Sequence, residues 1–182
     1  TREKIRDLRE YIESFGMRWS VVESLPVCES IKYGGADRDQ LIENYKQSLR
    51  NLSAEGIHTI CYNFMPVLDW ARTDLDHPNP NGTTNLYFSY AEFAYFDIYI
   101  VVREGAREEW ASFKVPGLDI DRDILAEVDA LRAEMTPEGE HKLVETIIVK
   151  TQGFVSGNIR EDDEHPIELF RQLLSLYDGI TK

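Results

Sequence analysis

The sequence predicts an α/β fold that contains only part of a parallel sheet. Two observations support this prediction. In the first 75 residues, helix-like segments with apolar residues at a spacing of three to four alternate with short β-branched and aromatic runs. The joins between these segments are short, which is typical of βα units in a parallel sheet. Because two strands rarely form a stable sheet alone, we expect a fragment of a larger α/β barrel, or a chain whose other strands come from elsewhere.

The predicted elements of this first part follow from helix stops, caps and apolar runs. Gly16 and Gly56 are suited to end helices, and Asp37 is suited to begin one. Glu23 and Ser24 are expected at the end of the first strand, and a loop rich in Pro and Gly is expected after it. The elements are, in order, a helix over residues 1–15, a strand over 19–22, a helix over 38–55 and a buried strand over 58–64.

The sequence pattern after residue 75 predicts mainly helices. Residues 76–85 (DHPNPNGTTN) are so rich in turn formers that we expect no regular element there. Ser89 and Thr136-Pro137 resemble helix starts. Helices are expected over residues 89–100, 137–150 and 166–177. A further helix is expected around Ile124, Val128 and Leu131, and a polar loop is expected over residues 151–166. We therefore predict one incomplete domain over residues 1–182, with two βα units over 1–75 and a mainly helical insertion over 76–182.

Composition excludes some classes of partner. The 182 residues include 33 acidic and 20 basic side chains, a formal net charge of −13. This charge opposes binding to nucleic acid or to an anionic membrane surface. A small anionic substrate is still compatible, because a local arginine outweighs a field that salt screens over about 8–10 Å.

Cysteine use and hydropathy predict a cytoplasmic protein. Two cysteines, Cys28 and Cys61, are too few for a disulfide scaffold. The sequence has no apolar run long enough to cross a membrane, and its charged beginning does not resemble a signal peptide.

Polar residues that follow the second predicted strand form the candidate site. Ligand sites of parallel α/β sheets lie at the carboxyl ends of the strands. Arg72 offers a planar donor fork that suits a carboxylate, although an ion pair with Asp69 or Asp74 is the more frequent role of such a residue.

Three further residues are candidates for this site. Trp70 could support a sugar ring or pack in the core, and the core is favoured. Asn63 could orient a hydroxyl or cap the following turn, with even odds. Glu23, at the end of the earlier strand, could form an acid/base pair with Asp69.

The sequence contains no convincing metal or phosphate motif. The histidines (His58, His77, His141, His165) are scattered, and none has the spacing of a metal pair. The acidic run before His165 is expected to be a solvated loop. Cys61 is predicted to be a small core residue and not a nucleophile. Gly34-Gly35 lacks the other residues of a phosphate loop.

Three segments carry a resemblance to the mannonate dehydratase family. They are VVESLPVCESIK, ENYKQSLRNL and especially CYNFMPVLDWARTDL, and the later segment SYAEFAYFDIYIVVREGA adds to them. The resemblance covers nearly the whole chain and is strongest before about residue 105. It implies a xylose-isomerase-like (β/α)8 TIM barrel that dehydrates D-mannonate to 2-dehydro-3-deoxy-D-gluconate in hexuronate catabolism, with Mn²⁺ or Fe²⁺.

Two departures from the family limit what can be transferred to this chain. The family's metal ligands and its best catalytic candidates would fall after Lys182, so this chain is expected to hold no metal and to be inactive alone. Cys28-Glu29-Ser30 stands where the family commonly shows His-Glu-Asp. On this reading the chain is an N-proximal portion of the enzyme in which Asn63, Trp70, Arg72 and Glu23 line the substrate end of the strands.

Two other interpretations are retained. One is a sugar isomerase or epimerase on the same barrel, since the scaffold does not determine the reaction. The other is a non-catalytic chain that oligomerises through exposed sheet edges. A homo-oligomer and a sugar-acid substrate are the expected partners.

Overall fold

Helices and two small sheets make up the described part of the chain. The computed structural model describes residues 1–68, 70–114, 117, 122–148 and 166–178. Its contacts form two compact units, residues 1–66 and residues 67–178. The first unit contains α1 (Arg2–Glu13), β1 (Val21–Pro26), α2 (Glu29–Tyr33), α3 (Arg38–Ala54) and β2 (Thr59–Asn63). The second contains β3 (Asp74–Pro78), β4 (Thr84–Tyr87), α4 (Tyr90–Tyr95), a π-helix (Phe96–Val101), α5 (Ala106–Ser112), α6 (Ile124–Glu134), α7 (Pro137–Ile148) and α8 (Pro166–Ser175).

The helices of the first unit begin and end close to their predicted bounds. The Thr1 hydroxyl accepts a hydrogen bond from the Lys4 amide at 3.5 Å and caps α1. Gly16 and Gly56 have φ values of 73° and 81°, a left-handed conformation that glycine adopts without steric cost. The segment before Asp37 differs from the prediction, because it folds into the short helix α2 and not only into a loop.

The two predicted strands pair in parallel, as expected. Val21 lies opposite Thr59 and Pro26 lies opposite Asn63, with an irregularity in β1 between Val22 and Leu25. The prediction that the second strand is buried is wrong. Cys61 is exposed, and so is the Tyr62 side chain beside it, at 66%. In the described part of the chain, these strands pair only with each other, so the sheet covers little apolar surface.

The segment after the second strand contains a β-hairpin, which corrects the prediction of an irregular stretch over residues 76–85. Strands β3 and β4 are antiparallel. The Asn79 amide donates to the Thr83 carbonyl at 2.8 Å, and Gly82 takes a φ of 81° in the turn. The turn formers therefore occupy the tip of the hairpin, and the strands on either side of it are short.

The later helices agree with the sequence pattern. The Ser89 hydroxyl accepts from the Glu92 amide and caps α4, and the Thr136 hydroxyl accepts from the Gly139 amide beside α7. Pro166 begins α8 as predicted. The predicted polar loop over 151–166 lies outside the described residues, apart from Pro166, and so does the expected extension of α7 to Lys150.

The apolar core of the second unit comes from side chains that the helices bury. Its largest fully buried members are Phe96, Ile124, Ile147 and Val128. Phe96 packs edge-on against Phe170 of α8, with their ring centroids 5.6 Å apart. Among the described residues, no helix is both long enough and apolar enough to span a lipid bilayer. The predicted single incomplete domain stays a prediction.

Candidate functional site

The carboxyl ends of β1 and β2 lie at the same edge of their sheet. The strands are parallel, and their last residues, Pro26 and Asn63, are register partners. The chain that leaves β1 enters α2, and the chain that leaves β2 continues through Phe64 and Met65. This edge is where parallel α/β sheets bind ligands, so it is the candidate site of the first unit.

Asn63 joins the two strands at this edge. Its side-chain amide donates to the Ser24 hydroxyl at 2.6 Å. Ser24 lies in the irregular part of β1 with a φ of 59°, an unusual conformation for a residue with a side chain. The bond orients a hydroxyl of the protein itself and does not cap a turn. A substrate contact of Asn63 stays a prediction.

Glu23 does not end its strand, which corrects the prediction. Strand β1 continues through Leu25 and Pro26, because these residues pair with Tyr62 and Asn63 of β2. Glu23 is exposed within β1. Its proposed acid/base partner, Asp69, lies outside the described residues, so that pair stays a prediction.

Arg72 and Trp70, in the second unit, lie beside each other. The guanidinium carbon of Arg72 is 6.0 Å from the centre of the Trp70 ring, and Arg72 Nη1 donates to the Ala71 carbonyl at 2.7 Å. The Trp70 side chain is 62% exposed, so the prediction that it packs in the core is wrong. Most of the Trp70 side chain is therefore exposed, and the Arg72 guanidinium lies at the outer limit of a cation–π contact.

The predicted ion pair between Arg72 and Asp74 does not form. Asp74 instead faces His77 Nδ1 at 3.6 Å and Lys142 Nζ at 3.9 Å. Within the described ranges, no carboxylate lies within 4.0 Å of the half-buried Arg72 guanidinium, and the alternative partner Asp69 is not among those residues. Arg72 thus keeps donors that could bind a carboxylate ligand.

Sequence reasoning missed a buried ion pair at the candidate edge. Lys32 Nζ lies 2.6 Å from a Glu29 carboxylate oxygen and donates to the Met65 carbonyl at 2.9 Å. The Lys32 side chain is fully buried, and that of Glu29 is 6% exposed. The signal that could have revealed it is the spacing of three between Glu29 and Lys32, which places both on one side of a helical turn.

A separate cavity of about 330 Å³ lies within the second unit. Its polar lining includes Asp74, Glu92, Glu134 and Lys142. Glu92 Oε2 is buried, and no hydrogen-bond partner for it occurs among the described residues. Three carboxylates against one ammonium disfavour an anionic ligand, so this cavity does not suit a carboxylate substrate.

The part of the chain that the structure describes does not contain a metal centre. No three His, Cys, Asp or Glu side chains of those residues are close enough to hold a metal ion. Both cysteines are free and exposed, which also corrects the expectation that Cys61 belongs to the core.

Comparisons with known proteins agree on one family. The model of the family described as D-mannonate dehydratase (UxuA) matches residues 1–182. The chain is 39% identical over 180 residues to a mannonate dehydratase of Marinomonas sp. (strain MWYL1), which covers 99% of this chain and 42% of the relative. It is 40% identical over 179 residues to a mannonate dehydratase of Chromohalobacter salexigens, covering 97% of this chain and 41% of the relative.

A solved structure matches as well. The crystal structure of mannonate dehydratase from Streptococcus suis serotype 2 is 38% identical and superposes with a TM-score of 0.50. The match covers 78% of this chain and 39% of that chain. The chain therefore spans about two fifths of the length of the curated relatives that match nearly all of it.

Proposed function

Because the chain belongs to the D-mannonate dehydratase family, we propose that the complete protein dehydrates D-mannonate to 2-dehydro-3-deoxy-D-gluconate. The observation that carries this proposal is the family match over all 182 residues. The reaction removes water across a carbon–carbon bond, which makes the enzyme a carbon–oxygen lyase of hexuronate catabolism.

The fold proposal is a xylose-isomerase-like (β/α)8 barrel in the complete protein. The β1–α3–β2 segment supports it, since two parallel strands joined through a helix are the repeating unit of such a barrel. The sheet has only these two strands among the described residues, so its outer edges are consistent with a sheet that further strands extend.

We propose that Arg72 is the principal contact for the substrate carboxylate. Its half-buried fork has no ion-pair partner among the described residues, and a fork of this kind binds a carboxylate through two parallel hydrogen bonds. The exposed indole of Trp70 could lie against carbon–hydrogen groups of a sugar acid. Asn63 and Glu23 are proposed as further substrate contacts.

The described residues do not fit the divalent metal that the family implies. No three potential ligands converge among them. We propose that Mn²⁺ or Fe²⁺ is held by other residues of the complete protein, and we derive no reaction step through it. The 182-residue chain alone is expected to show no turnover.

The proposed setting is the cytoplasm, and the proposed assembly is a homo-oligomer. The two free cysteines are compatible with a reducing compartment. Exposed aromatic side chains on α1 and β2 are compatible with association between copies.

The reaction is tested with the complete protein, D-mannonate and Mn²⁺. Mass spectrometry should show a product lighter than the substrate by one water. D-gluconate and D-altronate serve as controls for the sugar acid, and a panel of ketoses tests the isomerase alternative. A ketose product of unchanged mass, with no dehydration of D-mannonate, would overturn the proposal.

A further inference from the structure

Lys32 is a buried cation at the edge of the first sheet where β1 and β2 end. It lies on α2, the helix that follows β1, and its side chain is 0% exposed. A buried ammonium is costly unless anions or carbonyl dipoles surround it. Glu29 supplies the anion at 2.6 Å, and the Met65 carbonyl supplies a dipole at 2.9 Å.

These two contacts connect the chain segments that leave the two strands. Glu29 and Lys32 belong to the segment after β1, and Met65 belongs to the segment after β2. The ammonium therefore bridges adjacent strand ends, and the bridge begins two residues after Asn63. A hydrogen bond from a charged donor is roughly twice as strong as one between neutral groups.

We propose that Lys32 is a positioning residue for the substrate end of the sheet. Its ammonium fixes the Met65 carbonyl, and with it the path of the chain directly after Asn63. Glu29 holds the ammonium in place and neutralises its charge. This inference rests on the proposed function, because it assigns Lys32 to the same substrate site.

A purely structural ion pair makes a different prediction from a positioning residue. If the pair contributes only to stability, then removing both charges together should restore stability and activity in parallel. Buried ion pairs often behave in this way, since an uncharged pair avoids the cost of burying ions. If Lys32 positions the chain, activity stays low after stability returns, because the Met65 carbonyl still lacks its donor.

The experiment compares Lys32→Met, Lys32→Arg and the double variant Lys32→Met/Glu29→Gln in the complete protein. Thermal unfolding measures stability, and steady-state kinetics with D-mannonate measure kcat and KM separately. Lys32→Met should lower both stability and kcat/KM. The double variant should regain stability and keep a kcat/KM reduced roughly tenfold or more, since small misplacements of a substrate contact are costly. Lys32→Arg, which keeps a cationic donor, should recover part of kcat/KM.

A matched control exists in α3. Lys46 pairs with Glu43 at 2.7 Å across the same spacing of three, but both side chains are more than half exposed. Lys46→Met should change neither stability nor kinetics appreciably, because exposed ion pairs contribute little. A double variant whose kcat/KM returns to the wild-type value together with its stability would overturn the positioning role.

A measurement without substrate separates this proposal from the proposed function. Hydrogen exchange of the Phe64 and Met65 amides should accelerate in the double variant and stay unchanged in Lys46→Met. Unchanged exchange in the double variant would overturn the positioning role even if the wild-type protein does not act on D-mannonate. A wild-type protein without dehydratase activity, in which exchange still accelerates, would overturn the proposed function and the assignment of Lys32 to its substrate site.

Discussion

The arginines of this protein differ in whether their guanidinium groups are paired with a carboxylate of the chain. Arg2 and Arg6 both donate to Glu55, at 2.5 and 3.1 Å, and Arg9 lies 3.5 Å from the same carboxylate. Arg72 instead donates to the carbonyl of its own neighbour, Ala71, and lies beside Trp70. Arg2, Arg6 and Arg9 are part of a structural cluster around Glu55, whereas the Arg72 guanidinium can still donate hydrogen bonds to a ligand carboxylate.

Replacing Arg72 therefore tests the site at residue scale. Arg72→Ala in the complete protein should raise KM for D-mannonate or lower kcat/KM on the order of tenfold or more, because a charge-assisted contact to the substrate is lost. Arg72→Lys should recover little, since an ammonium offers no planar fork. Arg38→Ala, which removes an exposed pair with Asp39, is the control. Near-wild-type kinetics for Arg72→Ala would contradict the assignment.

The arginine cluster predicts how stability depends on pH. Hydrogen bonds from Arg6 and Arg2 lower the pKa of Glu55 from its ordinary value of 4.5 to about 2. The stabilising contribution of Glu55 is therefore fully present above about pH 4.5 and disappears as the pH falls through about 2.

Glu55→Gln should accordingly lower the unfolding temperature at neutral pH and flatten the dependence of stability on pH in the acid range. Thermal unfolding monitored by circular dichroism between neutral pH and about pH 2 measures both effects. Asp39→Asn, at an exposed position, serves as the control. An acid-induced loss of stability as steep as in the wild type would contradict this role of Glu55.

At the scale of elements, helix starts are encoded more clearly than strand ends. Ser89 provides a local signal, because its hydroxyl accepts from the Glu92 amide at 3.3 Å. The same helix changes from α to π geometry at Phe96, where buried Asp97 accepts hydrogen bonds from Arg103 and Trp110. These partners lie six and thirteen residues further along the chain, and the apolar spacing predicted only a continuous helix.

Ser89→Ala should destabilise the second unit by about 1 kcal/mol, because the first turn of α4 loses an acceptor for its amide. Urea unfolding followed by tryptophan fluorescence measures this change. Ser89→Asp, which preserves an acceptor at the cap, should retain most of the stability. Equal stability of the alanine variant and the wild type would show that the cap contributes nothing.

At the scale of the whole molecule, a net charge of −13 coexists with exposed apolar side chains. Repulsion between copies opposes association, whereas exposed Tyr62 and Phe64 on and after β2 favour it. Salt screens the repulsion and leaves the apolar attraction, so the balance should shift toward association as ionic strength rises.

Sedimentation velocity tests this balance directly. We expect the 182-residue chain to sediment as a homo-oligomer, with a larger associated fraction at about 0.15 M salt than at 0.01 M. Tyr62→Glu should reduce association, because it adds charge to the exposed strand. Glu43→Gln, at an exposed position on α3, is the control. A monomer at every concentration and salt level would contradict the prediction.

The resemblance between sequences was sufficient to predict the family, because motifs such as CYNFMPVLDWARTDL are long and specific. Local patterns also predicted the parallel pair of strands and the starts of α4, α7 and α8. Turn formers were misread at residues 76–85, since the tip of a hairpin and an irregular loop share the same composition.

The sequence by itself determined the family, the caps at Ser89 and Thr136 and the order of βα units, because these depend on residues close together in the chain. Tertiary structure alone decided which polar groups meet. Asn63 hydrogen-bonds to Ser24, and Asp74 lies near His77 and Lys142. Lys32 is buried, in contact with Glu29 and the Met65 carbonyl. Contacts such as Asn63–Ser24 and Lys32–Met65 join residues 39 and 33 positions apart, and only the path of the folded backbone brings them together.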